Sequence, residues 1–104
     1  MARTNIKLEF EDKTYIIEFN RSSVRDFLKI KEADPIDQAI HMIKVGLKMH
    51  HANEMPDDDQ IFGWVMAMGD DMKEFGETLQ TMVQEVLETF KQDRKNLKWG
   101  KVEA

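Results

Sequence analysis

Residues 6–19 read IKLEFEDKTYIIEF, and the alternation in this stretch decides the fold class. Ile6, Leu8 and Phe10 alternate with Lys7 and Glu9, and Tyr15, Ile17 and Phe19 alternate with Ile16 and Glu18. A period of two marks a half-buried strand. Two such runs predict an antiparallel hairpin over residues 5–20, with Glu11-Asp12-Lys13-Thr14 between them. Folding there pairs Phe10 with Tyr15, Leu8 with Ile17 and Ile6 with Phe19. All six large side chains then share one face, and Lys7 stands opposite Glu18 as a favourable cross-strand pair. The turn carries no Asn-Gly or Asp-Gly dipeptide, which leaves its type open. Ile16 points to the other face, either as a scattered exposed apolar residue or as the mark of a hairpin covered on both sides. A lone hairpin is marginal in water, so its apolar face must pack on helices or on another chain.

The rest of the chain reads as helices. Asn20, Ser22 and Ser23 are all good N-cap residues. Ser23 followed by Asp26 resembles a capping box, with Asp in the usual place of Glu or Gln. A short helix follows, with Val24, Phe27, Leu28 and Ile30 inward. Asp34-Pro35 then starts a second helix, Asp as cap and Pro at the first helical position. Ile36, Ala39, Ile40, Ile43 and Leu47 recur along it at helical spacing to about His51. The stretch from Asn53 to Pro56 breaks it. Asp57, Asp58 and Asp59 crowd the next N-terminus, where the helix dipole favours negative charge. Ile61, Phe62, Val65 and Met66 form that helix's stripe, and Gly69-Asp70 ends it. The last helix is the longest, from about Asp71 to Lys95. Met72, Phe75, Leu79, Met82 and Val86 alternate spacings of three and four, and Val83, Leu87 and Phe90 widen the stripe. It reads either as a core-facing amphipathic helix or as one too broad for a small domain to cover, part of which binds a partner. Residues 96–104 form a short basic tail, expected to fray. Trp99 there either folds back on the domain or docks on something else.

Composition bounds the function. One domain is expected from 104 residues, with a helical body over 23–95. Hydrophobic residues at 41% and charged residues at 34% are globular proportions. No apolar run approaches the roughly 20 residues of a membrane span, and the N-terminus lacks the apolar core of a signal peptide. There is no cysteine, hence no disulfide, thiolate nucleophile or cysteine zinc site, and a reducing compartment fits. A net charge of −5 speaks against phosphate-backbone binding.

Three constellations invite chemistry and read better as structure. His41 and His50 lie nine residues apart on one helix, near opposite faces, and cannot share a metal there. His50 and Glu54 are four apart, but the helix ends between them. The acidic run Asp57-Asp58-Asp59 fails as a calcium loop, because Ile61, Phe62 and Met68 stand where a ligand, a Gly and a Glu are needed. Gly46, Gly63, Gly69 and Gly76 are scattered singly and form no phosphate loop, and no nucleophile motif appears. No enzyme activity, catalytic residue, cofactor or metal is expected.

Two features are less ordinary. Seven methionines follow the initiator, from Met42 to Met82. They either fill gaps in a core or serve a surface that repacks against partners. Charge is also segregated: eight acids and one lysine from Glu54 to Glu77 give −7, and five bases and one acid from Lys91 to Lys101 give +4. Opposed patches of this kind either drive head-to-tail association or complement helix dipoles.

The opening Ile6-Lys-Leu-Glu-Phe-Glu-Asp-Lys-Thr-Tyr-Ile-Ile-Glu-Phe19, followed by Asn-Arg-Ser-Ser-Val24, resembles the small tail assembly chaperones of long-tailed bacteriophages and prophages of Gram-positive hosts. These often begin with an I-x-L-x-F-x-x-K-x-Y hairpin before a helical body of this size. The likeness covers about 30 residues, and beyond them only helix number and acidity agree. It implies a non-catalytic protein of the host cytoplasm, absent from the mature virion, which coats the long tape measure protein and helps recruit tail tube subunits. It further implies a homo-oligomer and, in many such phages, a frameshifted longer form.

The expectation is therefore an α+β domain, an N-terminal hairpin packed on three or four helices, that binds protein and neither nucleic acid nor membrane. The helix pattern alone nominates Phe75, Leu79, Met82, Val86 and Phe90 as the partner interface. The alternatives are a structural virion component (a head–tail connector or minor tail protein) and a small acidic regulator that binds a basic host protein.

Overall fold

A computed structural model describes residues 4–29, 34–93 and 96–102. The chain is α+β. Strands β1 (Ile6–Phe10) and β2 (Lys13–Ile17) form an antiparallel hairpin, followed by helices α1 (Arg21–Leu28), α2 (Pro35–His51), α3 (Asp58–Met68) and α4 (Met72–Asp93). A single 3₁₀ turn, Gly69–Asp71, joins α3 to α4. The expected inward position of Ile30, the end of the last helix at Arg94 and Lys95, and residues 103–104 lie outside the described residues.

The hairpin register differs from expectation by two residues. Ile6 pairs with Ile17, Leu8 with Tyr15 and Phe10 with Lys13, so Lys7 faces Ile16 and not Glu18. The reason is the turn. Glu11 and Asp12 adopt φ of 48° and 63° and close a two-residue loop without the usual glycine. A slip of two preserves the side-chain faces, as a slip of one would not. Tyr15 and Ile17 are buried with Phe19 beyond the ladder, while Ile6 and Leu8 are half-buried against the core. Lys7 finds its carboxylate on its own strand, with Nζ 3.1 Å from Glu9 Oε1.

Helix α1 also starts earlier than expected. Asn20, in extended conformation, is the cap, and its side chain accepts from the Ser23 amide at 2.8 Å. Ser23 Oγ in turn accepts from the Asn20 amide at 2.7 Å. Ser23 thus fills the third-residue role of the capping box and is not the cap itself. Asp34 and Asp57 cap α2 and α3 as their sequence contexts suggest, accepting from Ile36 and Gln60. Gly69, at φ 53°, closes α3.

Helix α2 is the axis of the packing. It buries Ile40, Met42, Ile43, Val45, Gly46 and Leu47, more than one helical stripe, because β2 covers one side and other helices cover the rest. Gly46 lies where β2 crosses it. A Cβ at this position would collide with Ile17 Cγ2 and lie 3.3 Å from Phe19 Cζ. Helix α4 is tied at its far end: Arg21 donates to Thr89 Oγ1 and to the Thr89 carbonyl at 3.1 Å, and its guanidinium lies 4.9 Å from the Phe90 ring centre. Lys44 Nζ lies 2.8 Å from Asp58 Oδ1, linking α2 to the first turn of α3. That hydrogen bond first, and then the Lys44 charge, hold the Asp58 carboxyl below its ordinary 3.8. Burial opposes them, and His41 adds weakly in their favour.

Two predictions follow from this packing. In Gly46→Ala, steric overlap of about 1–3 kcal/mol outweighs a helix-propensity gain of about 1 kcal/mol, so denaturant unfolding shows a net loss. Gly63→Ala, where a Cβ would meet nothing within 4 Å, gains about 0.5–1 kcal/mol in the same assay. The second concerns acid. Because the Asp58 carboxyl is lowered in the folded state, its pair with Lys44 stabilises above the unfolded value of 3.8 and stops doing so as pH falls through the lowered value. Both groups are exposed, so the effect stays below about 1 kcal/mol. Lys44→Met reduces stability near neutral pH and narrows the difference between the two proteins in acid, read from urea midpoints across the acid range.

Candidate protein-binding surfaces

The hairpin has two outer edges, and the fold treats them differently. In a hairpin closed by a two-residue loop, Phe10 and Lys13 exchange hydrogen bonds, and alternate residues turn their amides outward. At the far end of β2, α2 holds two of these outward amides. The Ile16 amide donates to His51 Nε2 at 2.9 Å, and the Glu18 amide donates to the Gly46 carbonyl at 2.9 Å. The His51 ring therefore accepts through Nε2 and carries its proton on Nδ1. It also packs on Tyr15, with ring centres 5.3 Å apart. Glu18 Oε1 lies 3.0 Å from His50 Nε2. A histidine at the end of α2 thus caps a sheet edge. Ile16, on the face opposite Tyr15 and Ile17, is half-buried.

On β1 the outward groups belong to Lys7 and Glu9, and among the described residues no hydrogen bond reaches them. This open edge borders a groove. Its deeper part, about 340 Å³, is lined by Leu8, Glu9 and Phe10 on the strand side and by Trp64, Ala67, Met68 and Asp71 opposite. A continuation of about 280 Å³ runs past Ile6 between Asp71, Glu74, Phe75 and Thr78. Phe10 meets the Trp64 ring edge-on at 5.7 Å, and Tyr15 meets it at 5.0 Å. Trp64 Nε1 is the one buried side-chain polar atom among the described residues with no hydrogen-bond partner. The groove has apolar walls, with the carboxylates of Asp71 and Glu74 at its rim and the Lys7–Glu9 pair beside it.

A second surface lies on the outer side of α3. Ile61, Trp64 and Val65 face inward. Asp59, Phe62, Gly63, Met66 and Ala67 face out, with Phe62 43% and Met66 49% exposed. The sequence stripe had placed Phe62 and Met66 inside. The inward role belongs instead to Trp64, whose indole fills the space between the hairpin aromatics.

The five residues nominated on α4 divide otherwise than expected. Leu79, Met82 and Val86 are 1%, 2% and 1% exposed and belong to the core, where no partner reaches them in this conformation. Phe75 and Phe90 are half-buried against that core. Phe75 lines the groove beside β1, and Leu79 lines a smaller cavity of about 150 Å³ between α1, α2 and α4. The α4 stripe is wide because α1, the hairpin and α2 surround it. Trp99 does not fold back and is 88% exposed. Among the described residues no group of three or more His, Asp or Glu side chains is placed to hold a metal ion, and no helix is long and apolar enough to cross a membrane.

Compared with known protein families, curated proteins and solved structures, the chain has no significant match.

The His51 contact is testable. His51→Phe keeps a ring on Tyr15 but leaves the Ile16 amide without an acceptor. The expected loss is about 1 kcal/mol, at the low end for an unsatisfied buried donor because the site is only half-buried. Thermal unfolding of His51→Phe beside His51→Asn, which restores an acceptor, measures it.

Proposed function

We propose that this chain is a non-catalytic assembly factor whose work is to bind another protein, of the tail assembly chaperone kind that its opening hairpin resembles. The observation that carries the reading is the outer face of α3. Phe62 and Met66 lie one turn apart beside Gly63 and Ala67, with Asp59 on the same side and Asp70 just beyond. Such a face suits an amphipathic helix with basic flanks: its apolar side covers the two large residues, and Gly63 allows close approach. The open space around Gly63 supports this. A glycine inside an exposed helix costs stability, and no neighbour among the described residues requires it. Methionine at the contact suits a partner with many similar but unequal helices. A tape measure protein is such a partner, and tail tube subunits are the second expected one. On this reading the protein acts in the host cytoplasm and leaves before the particle is finished.

The first test is genetic. DNA flanking the gene is expected to hold a slippery run near the Ala104 codon, an overlapping frame and then a very long helical tape measure gene. A neighbourhood without tail genes overturns the reading. The second is capture of that tape measure protein by the full chain. Phe62→Ser and Gly63→Gln, both on exposed positions, are expected to leave the melting temperature unchanged or higher and to weaken capture at least tenfold. Capture undiminished by both variants removes α3 from the interface. Recovery of the chain in purified particles favours a structural virion component instead.

A further inference from the structure

The open edge of β1 and the tail beyond α4 are complementary, and we infer that the tail of a second copy of this chain adds to β1 as a third strand. The edge offers the outward N–H and C=O groups of Lys7 and Glu9, and no other described group takes them. An exposed edge of this kind is a template for an extended chain. Beside it runs the groove between Leu8 and Trp64, continued past Ile6 to Phe75, with Asp71 and Glu74 at its rim and Glu9 beside it.

The tail has the matching chemistry. Residues 97–102 read Leu-Lys-Trp-Gly-Lys-Val and form no helix. In an extended chain Leu97 and Trp99 fall on one side and Lys98 on the other. Leu97 and Trp99 are exposed, so the isolated chain leaves two large apolar side chains in water within three residues. Seated along β1, Leu97 and Trp99 enter the groove, Lys101 falls on their side toward Asp71 and Glu74, and Lys98 falls on the other face of the strand, where Glu9 lies. Six residues of strand span about 20 Å, close to the length of β1 with its flanks.

The chain's own tail does not serve this edge. Helix α4 rises about 1.5 Å per residue, so Phe75 and Asp71 lie about 27–33 Å from Asp93. Trp99 stands six residues beyond Asp93 and reaches at most about 21 Å, even fully extended. The occupant with the right charge and the right apolar spacing is therefore the tail of another molecule. This contact is separate from the α3 face and does not depend on the chaperone reading.

The test uses the full chain in sedimentation velocity over a range of concentration and salt. The unmodified protein is expected to associate as concentration rises and to dissociate as salt screens the lysines. Trp99→Ala, in the exposed tail, cannot damage the core and is expected to weaken association at least tenfold. Glu9→Pro removes an outward amide without touching the β1–β2 ladder and is expected to do the same. Mixing the two variants restores one good edge and one good tail, so a one-to-one complex is expected to reappear. A protein that stays monomeric at all concentrations overturns the inference. So does association that survives Trp99→Ala, or a mixture that fails to pair while both variants melt as the unmodified protein does.

Discussion

Close approach of β2 to α2 at Gly46 is the contact on which the rest of the fold depends. A two-stranded hairpin cannot stand alone in water. Here its second strand lies against a helix so closely that the Glu18 amide bonds the Gly46 carbonyl. Ile17 and Phe19 occupy the space that a side chain at position 46 would fill. The crossing buries Tyr15, Ile17 and Phe19 at once and sets the height at which His51 meets Ile16. It also links Phe10, Trp64, Tyr15 and His51 in a chain of successive ring contacts, and so fixes α3 against the hairpin. Helix α4 then closes the remaining apolar face with Leu79, Met82, Val83 and Val86.

One consequence is an asymmetry of edges. The outer amides of Ile16 and Glu18 are held by a histidine ring and a helix carbonyl, whereas those of Lys7 and Glu9 on β1 border a groove with acidic rims. Small sheets leave an open edge only at the risk of indiscriminate pairing. Charge on Lys7, Glu9, Glu11 and Asp12 limits that risk here. The outer face of α3 is different in kind. It is an exposed helix face, apolar and glycine-containing, where the β1 edge is an open row of backbone groups.

Much of this was legible in the residues. Alternation gave the hairpin and its buried face, and the caps at Asp34 and Asp57 and the break at Asn53 to Pro56 gave the helices. Register escaped because Glu11 and Asp12 carry no glycine signal, yet both enter the left-handed region. The α4 stripe did not mark an interface because periodicity reports which residues share a face and not what covers it. Leu79, Met82 and Val86 are covered by the chain itself. The reverse held for Phe62 and Met66, which fit an inward stripe until Trp64 takes the interior place. The role of His51 carried no local signal, since its acceptor function depends on a strand 35 residues earlier. The likeness to tail assembly chaperones rests on the opening 30 residues, and the functional proposal adds to it the uncovered apolar face of α3.

Amide hydrogen exchange, resolved by residue in the full chain at low concentration, tests the central claim most directly. If β2 docks edge-on against α2, the Ile16 and Glu18 amides exchange as slowly as the hairpin's inner ladder, while those of Lys7 and Glu9 exchange orders of magnitude faster. Equal, rapid exchange at all four positions would mean that the strand does not rest on Gly46. The packing described here would then be wrong at its centre.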